Sequence, residues 1–146
     1  MDYKKFEDNL ANYLTGKECD LYSLMRDLKQ FPMCKYNGYI FRGMYFNRPV
    51  DKYDIADKDV CSWSIDLDVA TNFASHGRYG IVIVKKSNGV SIQALLKYLY
   101  ENNLVVSESL KRCTSKYENE VIDSMYSHEY TAMEVMKWKD MRLDVM

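Results

Sequence analysis

The 146-residue sequence predicts an α+β fold. Helical periodicity comes first, before residue 37, and β-prone runs interrupted by short helical segments follow it. Helices gathered ahead of strands favour α+β over a regularly alternating βα architecture. A hydrophobic fraction of 47% with 14% aromatic residues marks a globular chain, long enough to bury a core. One domain is expected over 1–146, with 1–36 a helical N-terminal part and 37–146 the sheet core.

The first helix rests on Tyr3, Phe6, Leu10, Tyr13 and Leu14, with Gly16 as its stop. Asp20 can cap a second helix whose apolar stripe is Leu21, Leu24, Met25 and Leu28, ended by Phe31-Pro32 because proline disfavours helical geometry in the residue before it. Both helices read as packing elements.

Asn37-Gly38 is a turn signal, and Tyr39-Ile40-Phe41-Arg42 is a short β-prone run ending on a charge. A polar loop over 47–59 leads to the strand Val60-Cys61-Ser62-Trp63-Ser64-Ile65. Alternation there puts Ser62 and Ser64 on one face, Cys61 and Trp63 on the other. Asp66 or Asp68 can cap a short helix holding Val69, Ala70, Phe73 and Ala74; Phe73, beside alanines, reads as core. Ile81-Val82-Ile83-Val84, bounded by glycine and lysines, suits a strand buried on both faces. Ile92, Leu95, Leu96 and Leu99 mark an amphipathic helix. A short strand is expected over 104–107, and a basic loop with Lys111, Arg112 and Lys116 over 108–116. Residues 121–125 and 130–138 read as two antiparallel strands joined around Ser127-His128.

Several functions are disfavoured at once. A net charge of −1 gives no basic face for nucleic acid. Cys19, Cys34, Cys61 and Cys113 form no Cys-x-x-Cys pair, which argues against zinc and thioredoxin-like chemistry and for free thiols in a reducing compartment. His76 and His128 lack metal-ligand spacing, so both are expected at the surface and no metal is expected. The N-terminus has no apolar core of signal-peptide length, and no apolar run approaches ~18 residues. A soluble cytoplasmic protein, monomeric and without membrane contact, is the expectation.

Chemistry concentrates in Tyr117-Glu118-Asn119-Glu120-Val121-Ile122. If this stretch is extended at Glu118 to Glu120, both carboxylates fall on one face and repel unless a cation sits there. Taken alone, this pair, Arg42 and the serines Ser62 and Ser64 are each ordinary wet ends of strands. Taken in order, Phe41-Arg42-Gly43, then Ser62-Trp63-Ser64-Ile65 with Ala70 and Phe73-Ala74, then Glu118-Asn119-Glu120-Val121-Ile122 resemble the arginine-serine-glutamate group of mono-ADP-ribosyltransferases. That group includes cholera-toxin-like enzymes and phage-encoded modifiers of host proteins. The motifs span residues 41–122. Trp63 departs from the threonine usual at its place, and the chain is shorter than many members.

The resemblance implies a split β-sandwich with the N-terminal helices packed on it, the sheet part being catalytic. It implies NAD as co-substrate and a protein acceptor with an exposed arginine, in the host cytoplasm if the chain is phage-encoded. Glu120 would stabilise the charge that develops on the NAD ribose. Arg42, with Gly43 beside it, would hold NAD through fork-shaped hydrogen bonds. Ser62 would orient Glu120 and the ribose, with Ser64 in support. Glu118 would position the acceptor guanidinium, and Tyr117 would lie against the acceptor. Two other expectations compete with arginine transfer: an NAD glycohydrolase with water as acceptor, and a non-catalytic binding module that inhibits a host partner through an acidic patch.

Overall fold

A computed structural model describes residues 1–50, 54–113 and 119–136, with the side chains of 134–136 excepted. The fold is mixed α and β. It divides into two compact units, one of residues 1–36 with 90–120, the other of 37–89 with 121–146. Residues 90–120, left with the sheet on sequence grounds, therefore group with the N-terminal helices. No helix among the described residues is long and apolar enough to cross a membrane.

In the first unit, α1 (Tyr3–Leu14) is capped by Asp2, whose carboxylate accepts from Lys5 N at 3.1 Å. It buries Phe6, Leu10, Ala11 and Leu14, and ends where Gly16 takes the left-handed conformation at φ +73°, which a side chain would disfavour. α2 (Leu21–Leu28) starts at Asp20, which accepts from Ser23 N at 3.1 Å and Ser23 Oγ at 2.7 Å. Asn9 clamps the two helices, donating to Asp20 O and accepting from Asp20 N, both at 2.8 Å. Leu24 and Leu28 are buried as expected, but Leu21 is exposed: the stripe begins one turn later. A 3₁₀ turn, Pro32–Cys34, follows, and Phe31 stacks on Phe6 at 5.4 Å between centroids. β4 (Val90–Ser91) leads into α4 (Ile92–Glu101), capped by Ser91 and burying Ile92, Leu95, Leu96 and Leu99.

Two expectations fail in this unit. Residues 104–107 form no strand, because their main-chain donors have another partner: Glu7 Oε1 accepts from Val106 N at 2.8 Å and Ser107 N at 3.0 Å. The following stretch is not all loop. Ser107 Oγ accepts from Leu110 N at 3.2 Å and caps a one-turn helix, α5 (Glu108–Lys111).

In the second unit the sheet runs in the order β5-β2-β1-β3-β6, with β1 Tyr39–Phe46, β2 Lys58–Ser64, β3 Tyr79–Lys86, β5 Glu120–Met125 (in this unit from Val121) and β6 Thr131–Met136. β1 pairs antiparallel with β3 along its whole length, Tyr39 opposite Lys86 through Phe46 opposite Tyr79. It therefore runs past Arg42, where a shorter strand is expected. β3 is buried on both faces as its apolar run predicts. β6 pairs antiparallel with β3, with an irregularity between Val82 and Ile83. The expected β5–β6 hairpin is thus a correction: both strands exist, but two intervening strands and β3 separate them in the sheet. A turn at Ser127-His128 does not by itself decide the pairing, and β6 takes the free edge of β3 instead.

α3 (Leu67–Ala74) lies on β1 through small residues. A Cβ at Gly43 would come within 1.9 Å of Ala70 O and 3.0 Å of Ala74 N. Ala70, Ala74, Val82 and Phe41 pack together there.

Candidate functional site

Three of the motif-bearing elements are consecutive in the sheet: β5, which Glu120 opens, then β2 with Ser62 and Ser64, then β1 with Arg42. On β1, Arg42 is half-buried, and its Nη1 donates to Ser62 O at 2.7 Å. Its Nε is shielded from water and has no acceptor among the described residues. A buried donor left unmatched costs about 1–3 kcal/mol, and among the described residues Nη1 alone of the guanidinium nitrogens has an acceptor.

The register aligns Phe41 with Ser64. Alternation from that pair sends the Ser62 and Ser64 side chains to the Phe41 side of the sheet and Arg42 to the other. What joins the two motifs is therefore the Ser62 main chain, not its hydroxyl. Cys61 and Trp63 are buried and the two serines half-buried, as the alternation predicts, so Trp63 is accommodated as core. Burial pushes the Cys61 thiol up from its ordinary pKa, with the Arg42 charge a smaller opposing influence. Ser64 Oγ accepts from Asp66 N at 3.0 Å, and Asp66 accepts from Asp68 N at 2.9 Å. Ser64 thus turns the chain from β2 into α3. Gly43 is buried under α3 and has a packing reason to be glycine.

Glu120 is half-buried at the head of β5, and Val121 and Ile122 behind it are core. Glu118 and Tyr117 lie outside the described residues, as does Lys116. Of the basic run, Lys111 pairs with Glu108 at 3.1 Å and Arg112 is exposed. His76 and His128 are both exposed. Among the described residues no group of three His, Cys, Asp or Glu is placed to hold a metal ion. A polar groove along α1 and α2, lined by residues such as Lys4, Asp8, Asn12, Ser23 and Arg26, contains none of the motif residues.

Two residues escaped the sequence reading. Phe73 is not core: it is 51% exposed and packs at a tilt against Tyr45 and His76, at 5.4 and 5.8 Å between ring centroids. The spacing gave no sign of this, since Phe73 stands three residues after Ala70 and by helical periodicity shares its face. Lys85 is not the exposed end of β3 but one of its most buried residues, at 3%. Its parity with Ile81 and Ile83 was the available signal.

Compared with known proteins, the chain matches no family model, no curated protein and no solved structure.

Proposed function

We propose that this chain is an NAD-dependent mono-ADP-ribosyltransferase that moves ADP-ribose to an arginine of a protein acceptor and releases nicotinamide. The observation that carries the proposal is the Arg42–Ser62 linkage at 2.7 Å, with the Arg42 guanidinium only partly matched, on strands next to the one that Glu120 opens. A planar guanidinium anchored through Nη1 to the β2 main chain is the kind of group that binds a diphosphate by fork-shaped hydrogen bonds. The finer fold that this reading carries is the split β-sandwich of such enzymes.

NAD supplies an activated ADP-ribose, whose bond to the cationic nicotinamide breaks without a general acid. Glu120 accepts a hydrogen bond from the ribose 2′-hydroxyl and stabilises the positive charge that grows at C1′. The Ser62 carbonyl fixes Arg42, and the orienting of Glu120 and the ribose falls to the Ser62 hydroxyl on the opposite face of the sheet from Arg42. Arg42 holds the diphosphate. Gly43 lets α3 approach β1, and Ser64 shapes the turn behind Ser62; both support NAD indirectly. Glu118 receives the acceptor guanidinium and takes the proton that this group loses as its nitrogen bonds to C1′, a step needed because an arginine with a pKa above ~12 is otherwise a poor nucleophile. Tyr117 lies against the acceptor.

The test is direct. Purified protein, NAD labelled in its adenosine part and a host lysate are incubated, and modified peptides are sequenced by mass spectrometry. ADP-ribose on arginine is the expected result; label on no protein, with no nicotinamide released, overturns the proposal.

A further inference from the structure

Lys85 sits in β3, and its side chain is 1% exposed. Its Nζ lies 3.2 Å from Asp123 Oδ2 and 3.3 Å from Glu129 Oε2. It also donates to Ser124 O at 3.2 Å and Ser124 Oγ at 3.4 Å, and stands 5.7 Å from the centre of the Trp63 ring. The partners are themselves tied. Ser124 Oγ donates to Glu129 Oε1 at 2.9 Å, while Asp123 accepts from Ser124 N at 2.8 Å and Asn88 N at 2.9 Å.

The sheet order makes this contact informative. β2 and β1 both lie between β5 and β3. In a flat sheet, three steps of ~4.8 Å would carry β3 beyond the reach of a lysine side chain to β5. The sheet therefore curls over this face, and Lys85 closes the curl. The chain after β3 confirms the approach, since a Cβ at Gly89 would come within 2.3 Å of Ile122 O.

An ion pair buried this deeply loses much of its Coulomb gain to desolvation, so its worth to net stability is small against an apolar replacement. What it does supply is direction: an ammonium with four oxygen neighbours leaves β5 little freedom to slide. We infer that Lys85 is a positioning residue for Glu120. It fixes the course of β5 at Asp123 and Ser124, and Glu120 is the first residue of that strand. This inference rests on the function proposed above.

Nicotinamide release from NAD would be measured, with kcat and KM separated, for the parent, for Lys85→Met/Asp123→Asn, and for Glu129→Gln. The double variant removes the charge pair and keeps an acceptor oxygen for one of the Asn88 and Ser124 N–H groups, which use different Asp123 oxygens. Glu129 is the more exposed of the two carboxylates, so its variant is the less disruptive to the fold. Expected are a fall in kcat of tenfold or more in the double variant and about threefold in Glu129→Gln. KM for NAD should stay within twofold and thermal melting should remain cooperative. A purely structural Lys85 predicts otherwise: folded variants with the parent kcat overturn the inference. If the double variant does not fold, Glu129→Gln decides alone, and an unchanged kcat there overturns it. A parent that releases no nicotinamide is a different failure, since it removes the proposed function and this inference with it.

Discussion

Arg42 Nη1 reaches the main-chain carbonyl of Ser62 at 2.7 Å, so a side chain bridges β1 to β2 one residue beyond their Phe41–Ser64 pair. Arg42 ties β1 to β2, and under the proposed function it also holds NAD; substitution can separate the two. Arg42→Ala leaves a half-buried carbonyl without its charged donor and is expected to destabilise by about 1.5–3 kcal/mol in urea unfolding. Arg42→Lys retains a charge and one donor but not the planar fork. It should fold, while calorimetry should show NAD binding weakened about tenfold, or ~1.4 kcal/mol. Unchanged NAD affinity in Arg42→Lys would remove the assigned contact.

Gly43→Ala tests the packing of α3 on β1. The added Cβ would lie 1.9 Å from Ala70 O, a main-chain atom that cannot swing aside. The loss should be at or above ~3 kcal/mol, the upper end of overpacking costs. Chemical denaturation measures it, and a loss below ~1 kcal/mol would show that α3 shifts freely.

Glu7 tests the segment in which a strand had been expected. It is fully buried, and its Oε1 serves both Val106 N and Ser107 N. Glu7→Ala orphans two donors and should cost about 2 kcal/mol or more, with faster amide exchange at 106 and 107. Exchange at those amides equal to the parent's would mean that the carboxylate does not hold them.

Acid should act on the start of α2. The Ser23 hydroxyl, then the Ser23 N–H, hold the Asp20 carboxyl below its ordinary pKa of 3.8. A depressed folded pKa gives stability that is present above the ordinary value and is lost as pH falls through the folded one. Melting temperature measured from pH 6 to pH 2 should therefore fall less steeply for Asp20→Asn, which keeps a capping oxygen but does not titrate. Parallel curves for the two proteins would exclude this role.

The parts legible in the sequence are those where local pattern and burial agree. The stripes of α1 and α4, the cap Asp20, the cap of α3 at one of two aspartates (Asp66 or Asp68, of which Asp66 caps) and the buried run of β3 needed only periodicity and capping chemistry. What escaped depends on distant residues. Which strands flank β3 is decided across the sheet, so β5 and β6 looked like a hairpin and are not one. Residues 104–107 looked extended because nothing near them in sequence announces Glu7 as their acceptor. Lys85 looked like a boundary because a charged residue reads as solvated until its counter-charges, Asp123 and Glu129, are found. Within the site, the adjacency of the three motif-bearing strands follows from topology, not from any single motif. The link between Arg42 and Ser62 runs through a carbonyl, which residue types do not reveal.

The central claim assigns the reacting ribose to Glu120. Nicotinamide release and arginine labelling, followed together, test it in Glu120→Gln against the parent, with Glu118→Ala alongside. The account predicts that Glu120→Gln loses both activities by about a hundredfold or more, the scale of removing one preorganised charge-stabilising group. Glu118→Ala should lose transfer to arginine yet retain NAD hydrolysis; equal loss of both would take the acceptor role from Glu118. A Glu120→Gln variant as active as the parent would contradict the account at its centre.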